Sequence, residues 1–146
     1  MIISEIKGNI HEEKGALPHL ERVYLRSDEL VKRIQRVKTD QGKELGIKLS
    51  VPKDLVDGDI LYRTGENMIV VSVLEDEVIV IQPYSLKQMG EVAHMLGNRH
   101  LPAQFEGSEM IVQHDYLVVR LLTEMNVRHV IEERKMKEAF KYIGHD

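Results

Sequence analysis

Histidine is the residue type in this sequence that is best suited to hold a transition metal. The chain of 146 residues contains seven histidines and no cysteine. Without cysteine, disulfides, thiol catalysis, iron–sulfur clusters and thiolate metal sites are excluded. A transition-metal site must therefore use imidazole, carboxylate, backbone or water ligands. The imidazoles available are those of His11, His19, His94, His100, His114, His129 and His145.

His100 has the most informative position of the seven, because it stands where a helix must end. It follows Gly-Asn-Arg and precedes Leu-Pro, and a proline two residues later prevents the helix from continuing. The C-terminus of a helix carries partial negative charge, which favours a cation nearby. A metal ligand fits this position, but so does a histidine that only ends the helix, and the local pattern leaves both interpretations open.

Two further histidines have carboxylates as neighbours in the sequence. His114 precedes Asp115, but adjacent residues at the end of a strand point to opposite faces, so this pair is a weak sign of a site. His145 stands between Gly144 and Asp146 in a tail that we expect to be flexible. Such a tail suits the recruitment of a metal ion, although most tails are simply disordered. The other histidines are best explained as exposed or structural residues, namely His11, His19, His94 and His129.

Recognisable enzyme motifs are missing from the sequence. There is no pair of histidines at the helical spacing of a zinc protease, no glycine-rich phosphate loop and no serine nucleophile elbow. A hydrolase that uses His114 and Asp115 would lack both a nucleophile and an acid–base partner. The residues themselves therefore indicate a binding protein in two parts, with metal binding as one option, and they predict no enzyme.

Charge and hydropathy limit the partners of the chain. The net charge is -4 and the pI is near 6.0, so no global electrostatic attraction to nucleic acid is expected. No apolar run is long enough to cross a bilayer, and the first residues do not resemble a signal peptide, so we expect a cytoplasmic protein without membrane contact. Residues 32–38 are locally basic, and the solvated face of a strand is a simpler interpretation than a binding patch.

The first half of the sequence predicts a small all-β domain. Apolar and polar residues alternate in residues 45–50, the pattern of a half-buried strand. The turn-forming residues 39–43 predict a hairpin that joins residues 30–39 to residues 43–50. The turn at residues 57–59 precedes two further predicted strands, at residues 60–62 and 68–74.

The second half of the sequence predicts the order β-α-β-β-α-β of a ferredoxin-like domain. Ser85 begins a helix in a capping box with Gln88, and Asp115 caps a second helix. The apolar face of the first helix is predicted to comprise Leu86, Met89, Gly90, Ala93, Leu96 and Gly97. Four strands are predicted at residues 77–82, 102–106, 109–113 and 128–135. The fold class is α+β, with an all-β domain at residues 1–74 and a ferredoxin-like domain at residues 75–146.

The tetrapeptide Gly-Asn-Arg-His at residues 97–100, with Gly90 and Ala93 earlier in the same helix, resembles the signature of the UreE urease accessory proteins. This family consists of nickel metallochaperones. Three other segments resemble the family pattern in the same order along the chain. They are Thr-Asp-x-Gly at residues 39–42, Asp-Gly-Asp-Ile-Leu-Tyr at residues 57–62 and Phe-x-Tyr-x-Gly-His at residues 140–145.

The resemblance implies an N-terminal domain similar to chaperone peptide-binding domains and a ferredoxin-like domain that binds metal and forms homodimers. It implies that His100 binds Ni²⁺, or Zn²⁺ or Cu²⁺ in its place, at the dimer interface. His145 matches additional ligands near the C-terminus, and His114 matches a ligand that only some relatives have. The implied partners are the urease apoprotein and the urease accessory GTPase complex. Whether dimers pair around one ion stays open.

A dimer interface gives a physical reason for this ligand set. One imidazole cannot hold a divalent ion tightly, but a two-fold axis through the site doubles every ligand. Two copies of His100, with His145 from one or both chains, would supply three or four nitrogens. The alternative is a protein-interaction module without metal, which dimerises through its C-terminal domain and uses the β domain to grip a peptide.

Overall fold

A computed structural model describes residues 1–141, which form two compact units. The first unit holds Met1–Glu75 together with Lys135–Ala139, and the second holds Asp76–Arg134 together with Phe140 and Lys141. The chain passes from one unit to the other next to the predicted boundary at residues 74 and 75. Domains at residues 1–74 and 75–146 stay our proposal, with Lys135–Ala139 as a segment that returns to the first unit.

The first unit is built from short strands in two three-stranded sheets. The strands are β1 (Ile2–Ile3), β2 (His19–Leu25), β3 (Ile34–Lys38), β4 (Glu44–Lys48), β5 (Ile60–Arg63) and β6 (Asn67–Val73). One sheet has the order β1-β4-β3 and the other has the order β2-β6-β5. This arrangement confirms the small all-β domain that the alternating pattern predicts.

The predicted hairpin is formed by β3 and β4, which pair in antiparallel register. At the turn, Gly42 has a φ of +87°, a conformation that glycine adopts without steric cost. The alternation of β4 directs Leu45 and Ile47 into the core, where both are almost fully buried. Ala139 joins the same core from the end of the described chain.

A buried carboxylate, that of Asp57, connects distant parts of the first unit. Its oxygens accept hydrogen bonds from the Val73 N–H (2.9 Å), from Lys135 Nζ (2.9 Å) and from His11 Nε2 (3.0 Å). Burial acts to raise the pKa of Asp57, but the bonds from Lys135, Val73 and His11 outweigh it, so the pKa lies below its usual value. The folded unit therefore favours the charged carboxylate.

Asp57→Asn is expected to lower the free energy of unfolding by about 1 to 2 kcal/mol near neutral pH, because a neutral amide replaces the buried carboxylate that accepts three hydrogen bonds and pairs with the half-exposed Lys135. Because folding lowers the pKa of Asp57, its charged carboxylate stabilises the folded protein at pH values above the usual pKa of 3.8. This stabilisation is lost as the pH falls through the pKa of the folded state. Urea unfolding of the original chain and of the Asp57→Asn variant, measured at decreasing pH, should show that the difference between their free energies of unfolding becomes smaller. Asp28→Asn, at an exposed position, is the matched control; an equal loss there would rule out a special role for Asp57.

The second unit confirms the ferredoxin-like prediction. The elements are β7 (Glu75–Ile81), α1 (Leu86–Asn98), β8 (Ala103–Glu106), β9 (Glu109–Gln113), α2 (Tyr116–Glu124) and β10 (His129–Lys135). The sheet has the order β10-β7-β9-β8, and β9 pairs antiparallel with both β7 and β8. Neither helix within residues 1–141 is long and apolar enough to span a membrane.

The predicted apolar face of α1 is wrong in part. Val92 is fully buried beside Leu96, whereas Leu86, which the spacing placed in the core, is 90% exposed. The face is centred on positions 88, 92 and 96, and Gln88 can occupy it because its side-chain oxygen accepts the Tyr84 N–H at 3.0 Å. A buried polar side chain that is hydrogen-bonded costs little, so hydrophobicity alone misplaced the face by part of a turn.

Candidate metal centre

His100 follows Arg99, the C-cap residue of α1, and lies in a Schellman motif that ends the helix. Its N–H donates to the Gly97 carbonyl at 2.9 Å, and the Leu101 N–H donates to the Leu96 carbonyl at 3.2 Å. These two bonds satisfy carbonyl groups that the last turn of a helix leaves without partners. The position of His100 is therefore fixed by the backbone of the helix end, and its side chain is exposed.

The backbone of His100 is in the left-handed region, with a φ of +59°. Glycine is the usual residue at this position of a Schellman motif, because a side chain there costs about 1 kcal/mol or more. Within residues 1–141 the other non-glycine residue with positive φ is Asn126, which ends α2 in the same way. Asparagine and histidine adopt this conformation more often than other side chains do, although it is uncommon for both. Strained residues of this kind cluster at functional sites, which supports a role for the imidazole.

His114 has a different environment, at the end of β9. Its Nδ1 lies 3.1 Å from Glu77 Oε1, and its ring meets the Tyr116 ring edge to face with centroids 4.8 Å apart. The side chain is only 14% exposed. The Glu77 carboxylate occupies Nδ1, so Nε2 is the nitrogen left for a metal. Such pairing with a carboxylate is common among histidines that ligate metals, although it also serves purely structural ion pairs.

Asp115 is not the carboxylate partner of His114, and it has a separate structural role. Its Oδ1 accepts the Leu117 N–H at 2.8 Å and the Val118 N–H at 3.4 Å, as an N-cap of α2. The structure therefore offers no catalytic pair of His114 with Asp115. Sequence inspection missed Glu77, because its contact with His114 joins two strands far apart in the chain and leaves no local signal.

The described residues of one chain do not assemble a complete metal site. Within residues 1–141, no three side chains from histidine, aspartate and glutamate come together in a group that could hold an ion. His145, the third predicted ligand, lies outside the described residues.

The remaining histidines all have local hydrogen-bond partners. His19 lies between Asn67 and Gln41, His94 is 3.4 Å from the Asn98 amide, and His129 Nδ1 is 2.8 Å from the Val127 carbonyl. Together with the bond from His11 to Asp57, these contacts agree with the exposed or structural roles that we assigned to them from the sequence.

Comparison with family models covers both units of the chain. Residues 3–74 match the N-terminal domain of the UreE urease accessory protein, and residues 76–141 match its C-terminal domain. The chain belongs to the UreE urease accessory protein family. The two matches together span nearly the whole chain, in agreement with the resemblance that the Gly-Asn-Arg-His segment indicates.

Several relatives named urease accessory protein UreE are similar over almost their full lengths. Those of Bacillus sp. (strain TB-90) and Geobacillus kaustophilus (strain HTA426) are each 59% identical over 145 residues, covering 99% of this chain and 98% of the relative. The relative in Staphylococcus epidermidis is 54% identical over 149 residues with the same coverage. UreE proteins are accessory chaperones and not catalytic enzymes, so the prediction that this chain is no enzyme is confirmed.

Proposed function

We propose that this member of the UreE family is a cytoplasmic nickel metallochaperone. It binds Ni²⁺ through the His100 side chains of two chains at a homodimer interface and delivers the ion to apo-urease, with the urease accessory GTPase complex as a further partner. The observation that carries the proposal is the exposed imidazole of His100, held in a strained left-handed conformation at the end of α1. Family membership supports the role in urease maturation.

A shared site explains how so few ligands can hold the ion. Residues 1–141 of one chain bring no three suitable side chains together, so further side-chain ligands must come from a second chain or from residues 142–146. A two-fold axis beside His100 would provide two imidazoles in equivalent positions. Imidazole sites suit Ni²⁺, Cu²⁺ and Zn²⁺, and Cu²⁺ binds more tightly than Ni²⁺ to a given site. Selection of nickel must then depend on geometry, availability and partners.

We assign His145 and His114 to supporting roles. His145 would complete the shell around the ion that His100 holds, and a ligand from the tail could leave again when the ion is transferred. His114 would coordinate only through Nε2, because the Glu77 carboxylate occupies Nδ1. An exposed, incompletely closed site suits a delivery protein, since a closed shell of rigid ligands would retain the ion.

Calorimetric titration with Ni²⁺ tests these assignments residue by residue. We expect His145→Ala to weaken binding by about tenfold, the effect of losing one of several ligands, and His114→Ala to weaken it by less. His94→Ala is the matched control, because His94 is an exposed histidine of α1, the helix that ends just before His100, and it is not a proposed ligand. Equal effects of His145→Ala and His100→Ala would make the tail a primary ligand. No Ni²⁺ binding by the unaltered chain would favour the metal-free interaction module.

A further inference from the structure

The outer face of the sheet β1-β4-β3 combines positive charge with exposed apolar side chains. Residues that are paired directly across neighbouring strands have side chains on the same face. The pairs Ile34 with Lys48, Arg36 with Gly46 and Lys38 with Glu44 therefore share one face, and Ile2 joins them through its pairing with Gly46. We call this surface the basic sheet face: Ile2, Ile34, Arg36, Lys38, Glu44, Gly46 and Lys48.

The cations of the basic sheet face are exposed and unpaired. Arg36, Lys38 and Lys48 form no ion pair within 4.0 Å in the described part of the chain, and neither do Lys32 and Arg33 just before β3. In a protein of net charge -4, this is a local excess of positive charge.

The same face presents apolar groups that a purely solvated surface does not require. Ile2 and Ile34 are each 72% exposed. Between Ile2 and Arg36 lies a hollow of about 260 Å³ above Gly46. A Cβ atom added to Gly46 would make only ordinary contacts, 3.9 Å from Ile2 and from the Met1 carbonyl, so packing does not demand a glycine there. The hollow is therefore a feature of the surface that the packing of the sheet does not require.

Strand β3 also has an open edge, because within residues 1–141 it pairs only with β4. The Thr39 N–H donates to the Lys43 carbonyl at 2.8 Å, and this bond sets which residues of the hairpin exchange hydrogen bonds. By alternation along the antiparallel pair, the N–H and C=O groups of Ile34, Arg36 and Lys38 point away from β4. The residues that offer backbone hydrogen bonds to a new strand are therefore those that carry the charge.

We propose that the basic sheet face binds an acidic, extended segment of a partner protein, which pairs with the edge of β3. Backbone hydrogen bonds would hold the segment, while its carboxylates meet Arg36 and Lys38 and an apolar side chain packs on Ile34. A second copy of this chain is disfavoured as the occupant, since charged edge strands repel one another. The proposal concerns the first unit and does not depend on metal binding at His100.

A designed peptide probes this surface in the full chain. Thr-Glu-Thr-Glu-Thr-Val-Thr, paired antiparallel to β3, sets two glutamates opposite Lys38 and Arg36 and the valine opposite Ile34. In a titration followed by ¹H–¹⁵N NMR spectra, we expect the amide signals of Ile34, Arg36 and Lys38 to shift most. The double variant Arg36→Glu/Lys38→Glu should weaken binding by about tenfold or more, because two attractions become repulsions.

The charge-swapped peptide Thr-Lys-Thr-Lys-Thr-Val-Thr should bind the double variant better than it binds the original chain. Lys14→Glu is the control, with the same kind of charge change at an exposed lysine outside this sheet. Unshifted β3 signals, an equal effect of Lys14→Glu, or binding of a DNA duplex in place of the peptide would each overturn the proposal.

Discussion

His100→Ala is expected to remove Ni²⁺ binding at the proposed dimer interface while the chain stays folded. The substitution takes both imidazoles from a shared site at once, because each chain of the dimer carries it. Changes to residues that only support metal ligands cost about 10- to 100-fold in affinity, so the loss of two ligands should cost at least a hundredfold. Calorimetry measures the affinity, and circular dichroism confirms the fold. Unchanged stoichiometry and affinity would contradict the assignment of His100.

Replacing His100 by glycine distinguishes its role as a metal ligand from its role in ending helix α1. His100→Gly should also lose Ni²⁺ binding, but it should raise the free energy of unfolding of the metal-free protein by about 1 kcal/mol. The reason is that glycine adopts the observed φ of +59° without the steric cost that histidine has. Urea unfolding at one fixed protein concentration measures this difference, with His94→Ala as the control. Retained Ni²⁺ affinity in the glycine variant would mean that the strained histidine has no ligand role.

Ni²⁺ affinity is expected to fall steeply as the pH decreases from 7.5 to 5.5. Protons compete with the metal for imidazole nitrogen, and imidazoles titrate near pH 6.5. Each imidazole ligand of the shared site adds to this loss, so the two His100 ligands and any ligand from the tail act together. The slope of affinity against pH thus counts the histidine ligands.

The control for this experiment is a check that the protein stays folded over the same pH range. The pKa of Asp57 lies below its usual value, so this carboxylate should keep its ion pair throughout, and the first unit should stay folded. Titrations in a buffer that does not bind metal, repeated with His145→Ala, separate the contribution of the tail. Affinity that stays constant between pH 8 and 5.5 would exclude histidine ligation.

Much of the fold follows from local patterns in the sequence. The alternation around Leu45 and Ile47 predicts β4, and the capping residues Ser85 and Asp115 mark the starts of both helices. These features depend on neighbours within a few residues, so the sequence displays them directly. The buried face of α1 was harder to predict, because the burial of Gln88 depends on its hydrogen bond to Tyr84 and not on its hydrophobicity.

The candidate site was predictable to a smaller extent. The end of α1 at His100 follows from the proline nearby, but a left-handed histidine could not be foreseen, since glycine is the residue that usually marks this conformation. The Glu77 partner of His114 depends on strand pairing between residues far apart in the chain. The ligands of a site shared by two chains depend on packing between molecules, which no local pattern encodes.

The most direct test of the proposed site is the position of the bound ion. Crystals of the Ni²⁺-loaded protein, measured at the nickel absorption edge, locate the ion by its anomalous scattering. We predict one peak on a two-fold axis, about 2.1 Å from an imidazole nitrogen of His100 in each of two chains, the usual distance for such ligands. A peak remote from His100, or His100 side chains that never meet across an interface, would contradict the shared nickel site.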